Sequence, residues 1–378
     1  MKVILVDSLI GNDYTLCLAS SLQNAGAEVV LIVPSNRKFD IITNFTIKKW
    51  SPSKNKKDSN VIKLFKYVEY LFKLFFYILK NKDAAVHFQF FRFKFDILFI
   101  VFLRLFNVKL IHTAHDVLPH ETKRIDYFLN NLLYKASHKL IVHSSYINNK
   151  LSSVFKIKKG KIDIVPHGNF DIYQSDSPIS VEEARKEFNL KPDDKVVLFF
   201  GFIREYKGLD TLLDSYPIVH EKNPDIKFII AGSIPSSTLA RTYEEKMSTF
   251  QNEKCIIAHF KFIPSEQVAT YFTAADFVVL PYKDIDHSGI VHMAYSFEAP
   301  VIASNVGDFP ETIDEGKSGY LVEKNNPEAL AEAIIDAFKN SDTRQNMKNY
   351  IKELNKNKYS WDESARKTIE TYKTLINK

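Results

Sequence analysis

The chain has 378 residues and a mass of 43.6 kDa, with 45% hydrophobic and 25% charged residues. These proportions exclude wholesale disorder, a collagen-like repeat and an integral membrane bundle, and the length fits two domains. Lys plus Arg is 51 against 45 for Asp plus Glu, a net charge of +6 that gives a mild pull toward phosphate or anionic lipid, while the two cysteines, Cys17 and Cys255, exclude a disulfide scaffold and a cysteine-rich zinc site and fit a reducing compartment.

The opening MKVILVDSLIGNDY reads as the first strand of a domain, because the apolar run Val3–Val6 stops at Asp7, too early for a secretory signal. A helical stretch follows to Gly26, and Val29–Val33 is a second strand. Between Val61 and Lys80, the residues Lys63, Lys66, Glu69, Lys73 and Lys80 recur at helical spacing, and Leu64, Val68, Leu71, Phe72, Phe75, Ile78 and Leu79 fill the wider face. Periodicity alone favours a helix buried in the first domain with only its lysines wet; the alternative is an interfacial helix that docks on anionic lipid. No run approaches the ~18–20 uncharged apolar residues of a membrane span, and the longest, Ile97–Leu103, ends at Arg104.

Short apolar runs recur at Ala84–Val86, Lys109–His112, Leu140–His143 and Ile162–Val165, then at Val196–Phe200, Phe228–Ala231, Phe277–Leu280 and Val301–Ala303. Their alternation with helical segments predicts an α/β fold with parallel sheets covered by helices on both faces. A polar, turn-rich segment after Gly168 and the capping-box pair Ser180 and Glu183 mark a boundary, so two Rossmann-like domains are expected over 1–170 and 171–358. An amphipathic segment, Trp361–Ile376, closes the chain.

In this architecture ligands bind beyond the C-terminal strand ends, so the residues there are the candidates. The strand at Val196 runs into Gly201, which permits a close turn, and then into Arg204 and Lys207, two cations suited to a diphosphate. Gly232 ends the next strand and either permits a turn or admits a nucleotide. Ser288 and Gly289 stand where a helix begins, with free N–H groups that form an anion site. In the first half, His115-Asp116 follows a strand and suits sugar contact or acid/base work, as do His87 and Gln89. His167-Gly168 falls near the domain junction. Gly11 stands alone, without a dinucleotide fingerprint, and no P-loop, zincin helix, nucleophile elbow or nucleic-acid-binding motif is present.

Taken together and in this order, these segments resemble the retaining glycosyltransferases of family 4, which have the GT-B fold. GFIREYKGLDTLL is similar to the family's donor-diphosphate loop, FIPSEQVATYFTAADFVVLPY to its base-lining segment, and SGIVHMAYSFEAPVIASNVGDFPETIDEGKSGYLV to its donor helix and the stretch beyond; HTAHDVLPHE and IVPHGNF also match. The resemblance implies two Rossmann-like domains facing across a cleft, the first for the acceptor and the second for the donor, with the helix of 359–378 packing back on the first. It implies that Arg204 and Lys207 neutralise the leaving diphosphate and that Ser288, Gly289 and Ile290 offer it N–H groups. Phe262 and Ile263 would hold the base, His115 the donor sugar, and Glu311 falls in the family's Gly-x-Pro-Glu region. One departure stands out: the two glutamates usual around the donor helix, seven residues apart, fall here on Ile285 and Met293, with Asp284 and Asp286 flanking the first.

The function expected from this reading is retaining, metal-independent transfer of a sugar, of hexosyltransferase type, from a nucleoside diphosphate sugar to an acceptor hydroxyl in bacterial cell-surface polysaccharide or glycolipid synthesis. No cofactor and no nucleic acid are expected. The acceptor is a sugar or a lipid-linked sugar, and the location is cytoplasmic, with docking on the anionic inner face of the plasma membrane as the extension. The rivals are a catalytically silent GT-B scaffold, motivated by Met293, and a GT-B nucleotide-sugar epimerase.

Overall fold

The computed structural model describes residues 1–378 except 10–12, 38–43, 53–57, 92, 95, 120–121, 175–176, 251–254 and 377–378. The chain divides into two compact units, Met1–Gly168 with Ser360–Lys378, and Asn169–Tyr359. In the first unit the strands are β1 (Lys2–Val6), β2 (Glu28–Pro34), β3 (Thr46–Ser51), β4 (Ala85–Phe88), β5 (Leu110–Thr113), β6 (Lys139–Val142) and β7 (Ile162–Ile164), in the spatial order β3-β2-β1-β4-β5-β6-β7. The helices between them are α1 (Asp13–Asn24), α2 (Asn60–Lys80), α3 (Asp96–Arg104), α4 (Arg124–Ala136) and α5 (Ser145–Phe155).

The second unit opens with α6 (Val181–Lys186), whose Ser180 and Glu183 make the reciprocal capping box expected from the sequence. It continues as β8 (Lys195–Phe200), α7 (Leu209–Lys222), β9 (Ile226–Ala231), α8 (Ser237–Ser248), β10 (Ile256–His259), α9 (Ser265–Ala274), β11 (Phe277–Leu280), α10 (Gly289–Ser296), β12 (Val301–Ser304), α11 (Phe309–Thr312) and β13 (Gly319–Val322). The sheet order is β10-β9-β8-β11-β12-β13. Every strand pairing in both sheets is parallel. The order of each sheet reverses once, beside β1 and β4 in the first and beside β8 and β11 in the second, which opens a crevice at those strand ends. The central strands are buried on both faces, which is why they read as unbroken apolar runs rather than as alternation.

Helices α12 (Pro327–Ala337) and α13 (Ser341–Lys356) complete the second unit, and α14 (Trp361–Ile376) belongs to the first. There α14 packs on α1, sets the Trp361 ring 5.2 Å from Tyr14, and bonds the Ser364 hydroxyl to the Pro166 carbonyl at 2.8 Å. In the second unit, Arg185 of α6 donates to Asp276 at 2.9 Å, and Arg344 of α13 reaches the same carboxylate at 2.6 Å. The oxygen that Arg185 holds, Oδ2, also accepts the Val196 N–H at 2.8 Å, so this buried acid ties α6 and α13 to β8.

Helix α2 corrects the sequence reading. Only Tyr70, Leu74 and Ile78 are buried, an i, i+4, i+8 stripe that anchors it to the sheet. Leu64, Phe65, Phe72 and Phe76 are exposed, Phe65 at 69% of its surface, so the wide apolar face is wet. Its neighbour α3 extends that face: the Phe75 and Phe102 rings lie 5.5 Å apart, and Phe102 and Leu105 are themselves exposed. No described helix is long and apolar enough to cross a membrane.

Candidate active site

In the second unit the site is built where β8 and β11 part. Gly201 follows β8 with φ +106°, a conformation costly for a side chain. A Cβ there would lie 3.3 Å from Lys207 Nζ and 3.2 Å from Ile290 Cδ1, so the missing side chain lets the ammonium and the start of α10 converge. Gly208 caps α7 at φ +68°, and a Cβ there would lie 1.9 Å from the Pro281 carbonyl oxygen. The turn carrying Lys207 is thereby pinned against the end of β11.

Lys207 is only 8% exposed and has no carboxylate partner among the described residues. Burial pushes its ammonium below the usual lysine range, Tyr206 opposes this, and Arg204 adds to it. Its Nζ stands 5.2 Å from the Tyr282 ring centroid, a contact that offsets part of the lost hydration. Arg204 is exposed, its guanidinium 5.2 Å from the Phe202 ring centroid. A desolvated cation beside an exposed one is an arrangement completed by an anion.

Helix α10 supplies the second element. Ser288 is its cap, and its hydroxyl accepts the Ile290 N–H at 3.3 Å, so that donor is already engaged. The N–H groups of Ser288 and Gly289 donate to no acceptor among the described residues and remain for an anion. Phe262, beyond β10, is 75% exposed and offers a flat apolar face, while its neighbour Ile263 is buried in the core. Gly232 is explained without a ligand: at φ +151°, a Cβ would lie 1.8 Å from the Gly201 carbonyl oxygen. Glu311, on α11, is exposed, and its carbonyl accepts Lys358 at 3.1 Å. Ile285 and Met293 are both buried apolar side chains; Asp284 is exposed and Asp286 buried.

In the first unit, His115 lies at the end of β5 under a cage of rings. Phe90 stacks on it at 4.2 Å, and Tyr14 meets it edge-on at 4.8 Å. Its Nε2 is 3.1 Å from Gln89 Oε1, and its Nδ1 is 3.1 Å from His143 Nε2. Asp116, next in the chain, is exposed. His87 is fully buried, with Nδ1 2.7 Å from the Tyr372 hydroxyl and Nε2 2.7 Å from Thr113 Oγ1, which makes it a strut behind Gln89. Burial and the neighbours His112 and His143 push its pKa down to about 3, so it is neutral at physiological pH. Gly11 lies outside the described residues.

Sequence reasoning missed two members. His143 follows β6 as His115 follows β5, and a survey of every strand end would have found it. Asp308 bonds His287 Nδ1 at 2.6 Å just before α10, across a separation that leaves no local signal in the sequence.

Comparison with known proteins gives a consistent frame. Residues 180–354 match the family described as Glycosyl transferases group 1, and residues 12–168 match Glycosyltransferase Family 4. D-inositol 3-phosphate glycosyltransferase of Corynebacterium glutamicum is 28% identical over 290 residues, covering 72% of this chain and 68% of that protein. Among solved structures, sucrose-phosphate synthase of Thermosynechococcus elongatus superposes with a TM-score of 0.78 at 19% identity, covering 100% of this chain and 99% of that one. Anabaena HepE, solved with UDP and glucose, gives 0.77 at 14% identity over 99% and 100%. At these identities the two structures establish the likeness of fold.

Proposed function

This chain belongs to the group 1, family 4 glycosyltransferases of GT-B fold, and from that premise we propose that it moves a sugar from a nucleoside diphosphate sugar to an acceptor hydroxyl with retention at the anomeric carbon. The observation that carries the reading is Lys207, a nine-tenths buried ammonium with no acid partner among the described residues, set against the start of α10. In the transfer, the bond from anomeric carbon to the β-phosphate oxygen breaks and charge builds on that phosphate. Lys207, the N–H groups of Ser288 and Gly289, and the reach of Arg204 meet it there, in a setting already organised before the charge appears. Phe262 gives the base a surface, and in this proposal His115 contacts the sugar.

The departing phosphate takes the acceptor's proton on the face it leaves, so attack on that face retains configuration and needs no protein base. A covalent intermediate would need a carboxylate nucleophile, and the positions of the family's paired glutamates hold Ile285 and Met293. Positive charge from side chains and a helix end makes the step metal-independent in this proposal. That HepE is described with UDP and glucose supports a nucleotide-sugar donor, and that the Corynebacterium protein is named for glycosyl transfer supports the transfer itself. A panel of nucleotide sugars, scored by thermal shift and by release of nucleoside diphosphate, tests the reading. Binding without release with any acceptor favours the silent scaffold, and isomerised donor sugar without an acceptor favours the epimerase.

The exposed face of α2 and α3 supports peripheral docking on anionic lipid, and hence a lipid-linked acceptor in cell-surface polysaccharide or glycolipid synthesis. On a helical projection, Lys66, Lys73 and Lys80 flank one edge of the α2 apolar face, placing ammonium groups where lipid phosphates lie once the aromatics enter the acyl boundary. Lys66 also pairs with Asp58 at 2.8 Å, and Lys73 lies 4.7 Å from the Trp50 ring centroid, so both cations are held at that edge. Sedimentation with anionic and neutral vesicles tests this. Salt-sensitive binding to anionic vesicles, lost on Phe65→Ser with Phe72→Ser, supports it. Equal or absent binding, or a dimer that covers the face instead, overturns it.

A further inference from the structure

Three residues at the C-terminal edge of the first sheet form one hydrogen-bonded line. His143 Nδ1 is 3.0 Å from the Val165 carbonyl oxygen, and His143 Nε2 is 3.1 Å from His115 Nδ1. His115 Nε2 is 3.1 Å from Gln89 Oε1. The Gln89 amide nitrogen lies 3.0 and 3.4 Å from the two ring nitrogens of His87, over the face of that ring, whose nitrogens are bonded to Thr113 Oγ1 and to the Tyr372 hydroxyl.

Counting hydrogens along this line gives a definite result. A carbonyl only accepts, so His143 carries a hydrogen on Nδ1. One hydrogen lies between the two rings. With the Gln89 oxygen facing it, His115 must also carry a hydrogen on Nε2. That places three hydrogens on two imidazoles, one more than two neutral rings hold, so the pair bears one positive charge. Turning the Gln89 amide over exchanges its oxygen and nitrogen at the same two positions. Its N–H then donates to His115 Nε2, and the pair is neutral.

We propose that Gln89 and His143 form a positioning relay for His115, in which the His115–His143 pair holds one shared proton and the Gln89 amide turns when that proton is gained or lost. His143 fixes the His115 ring by holding its Nδ1, leaving Nε2 as the atom offered toward Gln89 or toward a ligand that takes the place of Gln89. A sugar hydroxyl arriving there meets a donor in the charged state and an acceptor in the neutral one. This consequence rests on the proposed contact between His115 and the donor sugar; the relay itself does not.

The groups around the pair are compatible with this count. From α1, Tyr14 faces both rings at 4.8 and 5.3 Å; burial raises its hydroxyl pKa, with Cys17 adding to the effect, so it stays neutral. His167 stands 5.2 Å from the His143 ring and is the ionisable neighbour beyond β7. Asp116 follows His115 and is exposed; Trp361, from α14, and Phe90 carry no charge. His87, desolvated, stays neutral and does not take the charge.

The test is a titration of the full-length protein labelled with ¹⁵N-histidine, followed by long-range ¹H–¹⁵N correlation, without donor. His115 and His143 are expected to change in a single common step, as interacting sites do. Gln89→Glu, an acceptor toward His115 in either orientation, should raise that step by at least one pH unit, and Gln89→Leu, which takes the acceptor away, should lower it. Separate steps for His115 and His143, or a step that neither variant moves, overturns the relay, and the unmodified protein alone gives the first answer if the variants do not fold. Adding a nucleotide sugar that binds then reads the other question: a shift confined to His115 Nε2 supports sugar contact, and its absence removes that contact while leaving the relay standing.

Discussion

Replacing Lys207 by methionine should make the protein more stable and much less active. The side chain keeps its length and apolar stem, and the substitution removes an ammonium that folding takes out of water. With no carboxylate partner among the described residues, the folded state carries much of that desolvation uncompensated, and relief of roughly 1–3 kcal/mol is expected, by analogy with buried ionic groups replaced by apolar ones. For a unit of the size of Asn169–Tyr359, this corresponds to a rise of about 2–12 °C in the melting temperature. The pH dependence has a definite sign. The folded pKa lies below the unfolded value of 10.5, so the unfolded chain binds more protons between the two. The penalty is therefore complete below the folded pKa and fades as pH rises through it toward 10.5, and the advantage of the variant should fade over the same range. Nucleoside diphosphate should reverse the ranking, stabilising the unmodified protein by RT ln(1 + [L]/Kd) and the variant far less. In turnover, losing one charge aimed at the leaving phosphate should cost about 2–4 kcal/mol, or roughly 30- to 1,000-fold. Calorimetry with and without nucleotide, together with a diphosphate-release assay, reads all of this. A variant that melts lower yet turns over normally would refute the reasoning, because Lys207 would then be a structural cation.

Gly232→Ala should cost about 2–4 kcal/mol in denaturant unfolding, since its Cβ would meet the Gly201 carbonyl oxygen at 1.8 Å, and a loss below 0.5 kcal/mol would show that the loop yields freely. Stability should fall in acid as pH drops below 6.5: burial holds His87 and His112 neutral down to about 3 and 4, so the unfolded chain takes up their protons first, at about 1.4 kcal/mol per pH unit for each ring. His112→Phe should flatten that acid limb, and an unchanged slope would count against the assignment. Turnover should survive EDTA; loss on chelation with recovery on adding Mg²⁺ would make Asp284 and Asp286 candidate ligands.

Much of the fold is written in local pattern. The strands buried on both faces appear as short apolar runs, and the Ser180–Glu183 pair announces α6 because a capping box is a local hydrogen-bond exchange. Strands β3 and β10 were not legible for the opposite reason. Most of β3 is an edge segment with Lys48 and Lys49, and β10 is only half-buried, so neither needs an apolar run. The exposure of α2 was illegible in principle: periodicity says which side chains share a face, not whether another element covers it. At the candidate site, the positions of Arg204, Lys207 and Ser288 were readable because each directly follows a strand or opens a helix. The burial of Lys207, the filling of the space at Gly232 by the Gly201 carbonyl and the Gln89–His115–His143 line depend on which strands lie side by side, and sequence order does not carry that.

The central claim is tested most directly by incubating the protein with individual nucleotide sugars, EDTA and a panel of sugar and lipid-linked acceptors, and following the anomeric proton by NMR as nucleoside diphosphate appears. The account predicts release of diphosphate from one class of donor, with the first-formed product keeping the anomeric configuration of that donor. Release with inverted configuration would contradict the proposed same-face mechanism, and no release from any donor would contradict the assignment of transfer activity.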